Sequence, residues 1–247
     1  MPGTVVVTAS ADSFPGLVEQ LREIPAAVEV YPLVSFAPPL DWSPVDAALR
    51  GLPRFGALAF TSPRSARAFA DRKEALGATA PDEVSVWAAG AGTADALGDR
   101  LGAVRRPDER DVGKSGAARA LAEAMMAADV RGPVLFPCGD HRRDELPARL
   151  RDDGMEVVEV VVYRTVLAGE LDARRAAERA QVLVVASPSV ADLLARACPL
   201  GVRPALLAVG PTTAAAARAS GWPPSAVAAG PTAAALVAGV RTLMAAR

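Results

Sequence analysis

The side chains that most often carry catalysis are scarce in this sequence: one histidine (His141), two lysines (Lys73 and Lys114) and two cysteines (Cys138 and Cys198) in 247 residues. A lone imidazole has no second histidine for a metal cluster, and the cysteines stand too far apart for a C-x-x-C site, so no metal is expected. A Ser-His-Asp hydrolase would have to recruit His141 from the run CGDHRRDEL, and no G-x-S-x-G elbow exists to present a serine. Lys114 stands in VGKSG, but a phosphate loop needs glycine where Asp108 stands. Schiff-base chemistry would rest on Lys73 or Lys114 alone. GAGTAD begins like a dinucleotide fingerprint, yet Asp95 would oppose a pyrophosphate.

What remains is a set of hydroxyls at expected helix starts. Ser62-Pro63 and Ser187-Pro188 each follow an apolar run and combine a favoured N-cap with a favoured first helical residue. Gly90-Ala91-Gly92-Thr93 and Gly210-Pro211-Thr212-Thr213 follow two further runs, with the threonine hydroxyls expected as caps. Helix N-termini at the carboxyl edge of a parallel sheet attract anions through unpaired amides and the helix dipole. Ordinary capping accounts equally well for any one of these motifs taken alone. Arg64, Arg142 and Arg143 either add positive charge at the rim or are ordinary solvated arginines, in a chain where arginine is the default cation.

The elements that must position these groups are short β-branched runs: Val5 to Thr8, Ala57 to Ser62, Val84 to Gly90, Pro133 to Gly139, Glu156 to Val166, Val182 to Ser187 and Ala205 to Gly210. Between most of them lie helical patterns such as FPGLVEQLREI and ELPARLRDDG. Continuously apolar strands alternating with helices predict an α/β fold with parallel sheets covered on both faces. Four blocks also recur in the same order. Val5 falls on Val134, VEVYPLV parallels VEVVVYRTV, Ser62 falls on Ser187, and Gly90 on Gly210 with Thr93 on Thr213. A duplicated α/β chain predicts two similar lobes with a cleft between them.

Composition limits the partners. The chain is 51% hydrophobic, and 27 basic residues nearly balance 28 acidic ones, so the basic excess that nucleic-acid binding needs is missing. No apolar run reaches the roughly 18 residues that span a bilayer, and MPGTVVVTAS lacks the basic and long apolar regions of a secretory signal. A cytoplasmic protein without membrane contact is expected. Since no exposed apolar helix demands a partner, so is a monomer.

Taken together, FTSPRSARAF, WAAGAGTADAL, the run from VLFPCGDHRRDELPARL to Tyr163 and Thr165, VVASPSVADLL and LLAVGPTTAAAA with a later GPT resemble the uroporphyrinogen-III synthase family over essentially the whole chain. The resemblance implies a cofactor-free hydro-lyase that closes the linear tetrapyrrole hydroxymethylbilane with loss of water and inversion of ring D, through an azafulvene and a spiro intermediate. It implies transient contact with the enzyme that supplies this substrate. It assigns Tyr163, one of two tyrosines beside Tyr31, to assisting the departing hydroxyl, and Ser62, Thr93, Ser187, Thr212 and Thr213 to substrate binding. A phenol with an ordinary pKa near 10 is protonated at neutral pH and able to donate. Two positions depart from the family pattern: Pro63-Arg64, where an asparagine is frequent nearby, and Cys138, where a basic residue is common.

The implied domains are 1–32 with 167–247 and 36–162, joined by extended linkers around 30–36 and 161–167 that hinge the lobes. The alternative is a non-catalytic two-lobed ligand-binding or regulatory module of the same fold.

Overall fold

A computed structural model describes residues 3–10, 13–79 and 83–246. The chain divides into two units, residues 1–35 with 166–247 and residues 36–165.

The first unit is built on a five-stranded sheet whose order is β11-β10-β9-β1-β2. Its strands are β1 (Thr4–Val7), β2 (Ala27–Val30), β9 (Val182–Val185), β10 (Ala205–Ala208) and β11 (Ala226–Val227), and every pair is parallel. Alternation along each strand splits the side chains between two cores. Val6, Leu183, Val185, Leu206 and Ala208 face α8 (Glu170–Arg179), α9 (Pro188–Ala197) and α10 (Pro211–Ala219). Val5, Val7, Val182, Val184 and Leu207 face α1 (Leu17–Leu21) and α11 (Ala233–Ala245). Burial on both faces is why these strands read as unbroken apolar runs.

The second unit holds a six-stranded sheet in the order β3-β8-β7-β4-β5-β6. Its strands are β3 (Val34–Ala37), β4 (Ala57–Phe60), β5 (Ser85–Ala88), β6 (Val104–Arg105), β7 (Val134–Gly139) and β8 (Val157–Leu167). On one face Leu58, Phe60, Leu135, Val160 and Val162 pack with α2 (Ser43–Arg50), α3 (Pro63–Ala75) and α4 (Ala91–Leu97). On the other, Ala57, Ala59, Val134, Phe136 and Cys138 pack with α6 (Ala117–Ala127) and α7 (Glu145–Asp152). The short α5 (Glu109–Ser115) contributes no buried residue.

Strand order gives the sequence repeat its physical meaning. Reading the aligned blocks onto the sheets, β1, β2, β9 and β10 of the first match β7, β8, β4 and β5 of the second, and both sheets hold these strands in the same order. Each sheet takes two of the four from the N-terminal copy of the repeat and two from the C-terminal copy. The two-residue edge strands β6 and β11 complete the correspondence. Among the described residues, no helix is long and apolar enough to cross a membrane.

Candidate functional site

The two Ser-Pro motifs do what their chemistry dictates. Each strand ends before the serine, at Phe60 and Val185, because the serine leaves the ladder to cap the following helix. Ser62 is the extended N-cap of α3, and its Oγ accepts from the Ser65 amide at 3.1 Å. Ser187 caps α9 in the same way, accepting from the Val190 amide at 3.3 Å. The hydroxyl protons differ. Ser62 donates its own to Ser65 Oγ at 3.0 Å, whereas α9 has valine at the equivalent place, leaving the Ser187 proton without an acceptor among the described residues.

The threonines are not caps, which corrects the expectation. Gly90 and Gly210 are the N-caps of α4 and α10. A capping side chain must sit on the residue that flanks the first turn, and Thr93 and Thr213 lie three residues inside it. Both are buried, while Thr212 is exposed. Apart from the glycines' own chain neighbours, no atom of the described residues stands within 4 Å of where a Cβ would be on Gly90 or Gly210.

Tyr163 is placed by an irregularity of β8. The β7–β8 ladder pairs Cys138 with Val161 but Gly139 with Tyr163, so Val162 is an extra residue, a β-bulge. The half-buried ring meets Phe36 edge to face with centroids 5.8 Å apart. The Arg64 guanidinium lies 3.3 Å from the Phe36 centroid and 5.7 Å from that of Tyr163, so the departure at Arg64 places a cation beside both rings. Beyond the bulge, the Asp140 amide donates to the Tyr163 carbonyl at 3.2 Å, and Asp140 Oδ1 accepts from the Thr165 amide at 2.9 Å.

Ser62 and Tyr163 line one cavity of about 400 Å³ at the carboxyl edge of this sheet, together with Cys138, Gly139, His141 and Arg143. The start of α6, at Gly116 and Ala117, completes its wall. Arg142 is committed to Glu159, with Asp144 at 3.3 Å, while Arg143 has no ion-pair partner among the described residues. Burial pushes the Cys138 thiol up to about 11, so it is neutral at pH 7 and adds no charge where a basic residue was the family expectation. The cavity offers a phenol, the Arg143 guanidinium and helix-start amides, groups that donate hydrogen bonds to oxygen anions, beside one carboxylate, Glu145.

Thr93 lies on α4, which follows the strand adjacent to β4. Ser187, Thr212 and Thr213 stand at the equivalent carboxyl edge of the other sheet, in the first unit. Three residues that hold Tyr163 in place escaped the sequence reading: Phe36, Asp140 and, as a steric partner of its ring, Gly139. Asp140 carried a weak signal as a turn former directly after a strand-ending glycine.

A family model described as uroporphyrinogen-III synthase HemD matches residues 16–238. Among solved structures, a mutant uroporphyrinogen III synthase from the extremely thermophilic bacterium Thermus thermophilus is similar with a TM-score of 0.63 at 15% identity, covering 99% of this chain and 100% of that one. The uroporphyrinogen-III synthetase of Helicobacter pylori 26695 gives a TM-score of 0.62 at 19% identity, with both chains covered completely. At such identities the structures speak for the fold.

Proposed function

The chain belongs to the uroporphyrinogen-III synthase family, and is thereby an enzyme of tetrapyrrole synthesis; from that premise we propose that it acts as a hydro-lyase on hydroxymethylbilane, with Tyr163 as the proton donor. In the first step the C–O bond of the hydroxymethyl group breaks. The hydroxyl takes the phenol proton and leaves as water, while the adjacent pyrrole nitrogen supplies the electron pair that forms the azafulvene. Attack by ring D, rearrangement through the spiro intermediate and ring closure release a proton from carbon, which returns to the phenolate. Atoms and charge balance without a co-reactant.

The remaining work is positioning. The substrate carries acetate and propionate groups on every ring, and holding these carboxylates coils the chain so that its ends meet. Ser62, Ser187 and Thr212 serve as side-chain contacts, and the first turns containing Thr93 and Thr213 bind through backbone amides. Arg143 adds a cation to the Tyr163 cavity.

The observation that supports this reading most is the Tyr163 phenol in one cavity with the Ser62 helix start and Arg143. The test supplies hydroxymethylbilane from a generating enzyme and separates the product isomers. The wild type should give the type III isomer, and Tyr163→Phe should slow its formation by about tenfold to hundredfold. Type I product alone from the wild type would refute the activity; full speed in Tyr163→Phe would remove the proton-donor role.

A further inference from the structure

We propose that Asp140 is a positioning residue for the reaction: its carboxylate holds the strand just beyond the β-bulge that sets the Tyr163 ring over Gly139, at the edge of the cavity. The inference rests on Tyr163 being the proton donor.

Parity along β8 shows why this matters. Val157 packs with the α6–α7 core, while Val158, Val160 and Val162 pack with the α2–α3 core. Unbroken alternation would therefore send Tyr163 to the α6–α7 side. Instead its ring packs with the cluster that holds Val160 and Val162, on the same side as Gly139, with which it pairs. The extra residue at Val162 is the cause. It re-aims one side chain, as bulges beside functional sites do.

A bulge interrupts the ladder, and the backbone beyond it needs another partner. Asp140 supplies two, to the carbonyl and the amide that flank Arg164, directly after Tyr163. Its amide donates to the Tyr163 carbonyl at 3.2 Å, and its Oδ1 accepts from the Thr165 amide at 2.9 Å. The same Oδ1 accepts from the His141 amide at 3.0 Å, which fixes the carboxylate against its own turn. Thus the segment from Tyr163 to Thr165 is anchored at both ends to one residue. The carboxylate points at backbone amides, so its role requires an acceptor atom at this position rather than a negative charge.

That distinction defines the experiment. Asp140→Ala, Asp140→Asn and Asp140→Glu are made in the wild type and in Tyr163→Phe, with kcat, KM, far-UV circular dichroism and the thermal midpoint measured for each. Asp140→Ala should lower kcat roughly tenfold with KM within about twofold, since a small misplacement of a reacting group costs rate before binding. Asp140→Asn keeps an amide oxygen for Thr165 and should recover most of the rate. In the Tyr163→Phe background Asp140→Ala should have no further effect, because the two substitutions disable one unit.

An equal second loss in that background would overturn the inference, as would Asp140→Asn as slow as Asp140→Ala. If Asp140→Ala fails to fold, Asp140→Glu decides: it keeps the charge but shifts the acceptor by one methylene, so full activity would refute the geometric role and a clear loss would support it. Full speed in Tyr163→Phe alone would instead refute the proton-donor reading, and the inference with it.

Discussion

The Tyr163 ring lies so close over Gly139 that a Cβ on the glycine would come within 2.5 Å of the tyrosine Cζ and 2.7 Å of its hydroxyl oxygen. Glycine here makes room for a side chain from the neighbouring strand.

Gly139→Ala should therefore push the phenol out of its present position. The type III rate should fall roughly tenfold, equivalent to about 1.4 kcal/mol in the activation barrier, while the thermal midpoint moves little because an end-of-strand alanine is otherwise compatible with the ladder. Isomer-resolved kinetics beside a melting curve checks this. An unchanged rate would show that the ring has an equally productive place elsewhere.

The paired caps give a second prediction. Removing either serine hydroxyl should cost about 1 kcal/mol in urea unfolding. Their effects on substrate should diverge, since Ser62 already gives its proton to Ser65 and Ser187 does not. Ser187→Ala should raise KM several times more than Ser62→Ala. Equal KM values would mean that the helix-start amides, and not the hydroxyls, hold the carboxylates.

Acid stability should depend on Glu159. Burial acts to raise its carboxyl, but hydrogen bonds from Arg142 and Arg151 outweigh this and hold it below the ordinary carboxylate range. A carboxyl lowered in the folded state contributes stability that is present above its unfolded pKa near 4.3 and is lost as pH falls through the folded value. Glu159→Gln should thus lower stability at pH 7 and flatten the decline below about pH 4.5. Urea midpoints from pH 3 to 7 for both proteins provide the comparison, and parallel curves would remove Glu159 from the acid limb.

Local chemistry was legible in the sequence wherever cause and effect lie within a few residues. Ser62 and Ser187 announced their caps because serine, proline and the receiving amide are neighbours in the chain. Val5, Val182 and Leu207 announced buried strands because both faces of each are covered. Thr93 and Thr213 misled, since the glycines three positions earlier take the capping place. The bulge at Val162 could not be read at all. It is a property of the register between β7 and β8, and Asp140 meets Thr165 only once that register exists. Edge strands β6 and β11 were missed for a similar reason: two residues carry no periodicity.

The position of β1 inside its sheet has a consequence for biosynthesis. It pairs with β2 on one side and β9 on the other, and Val5 meets Val182 only after the second unit has emerged from the ribosome. At roughly 5 to 20 residues per second that is a delay of about 10 to 35 s, during which the valines of β1 have no sheet partner beyond β2. Translation thus finishes the inserted unit first, and the nascent N-terminus waits for a strand that has not yet been made.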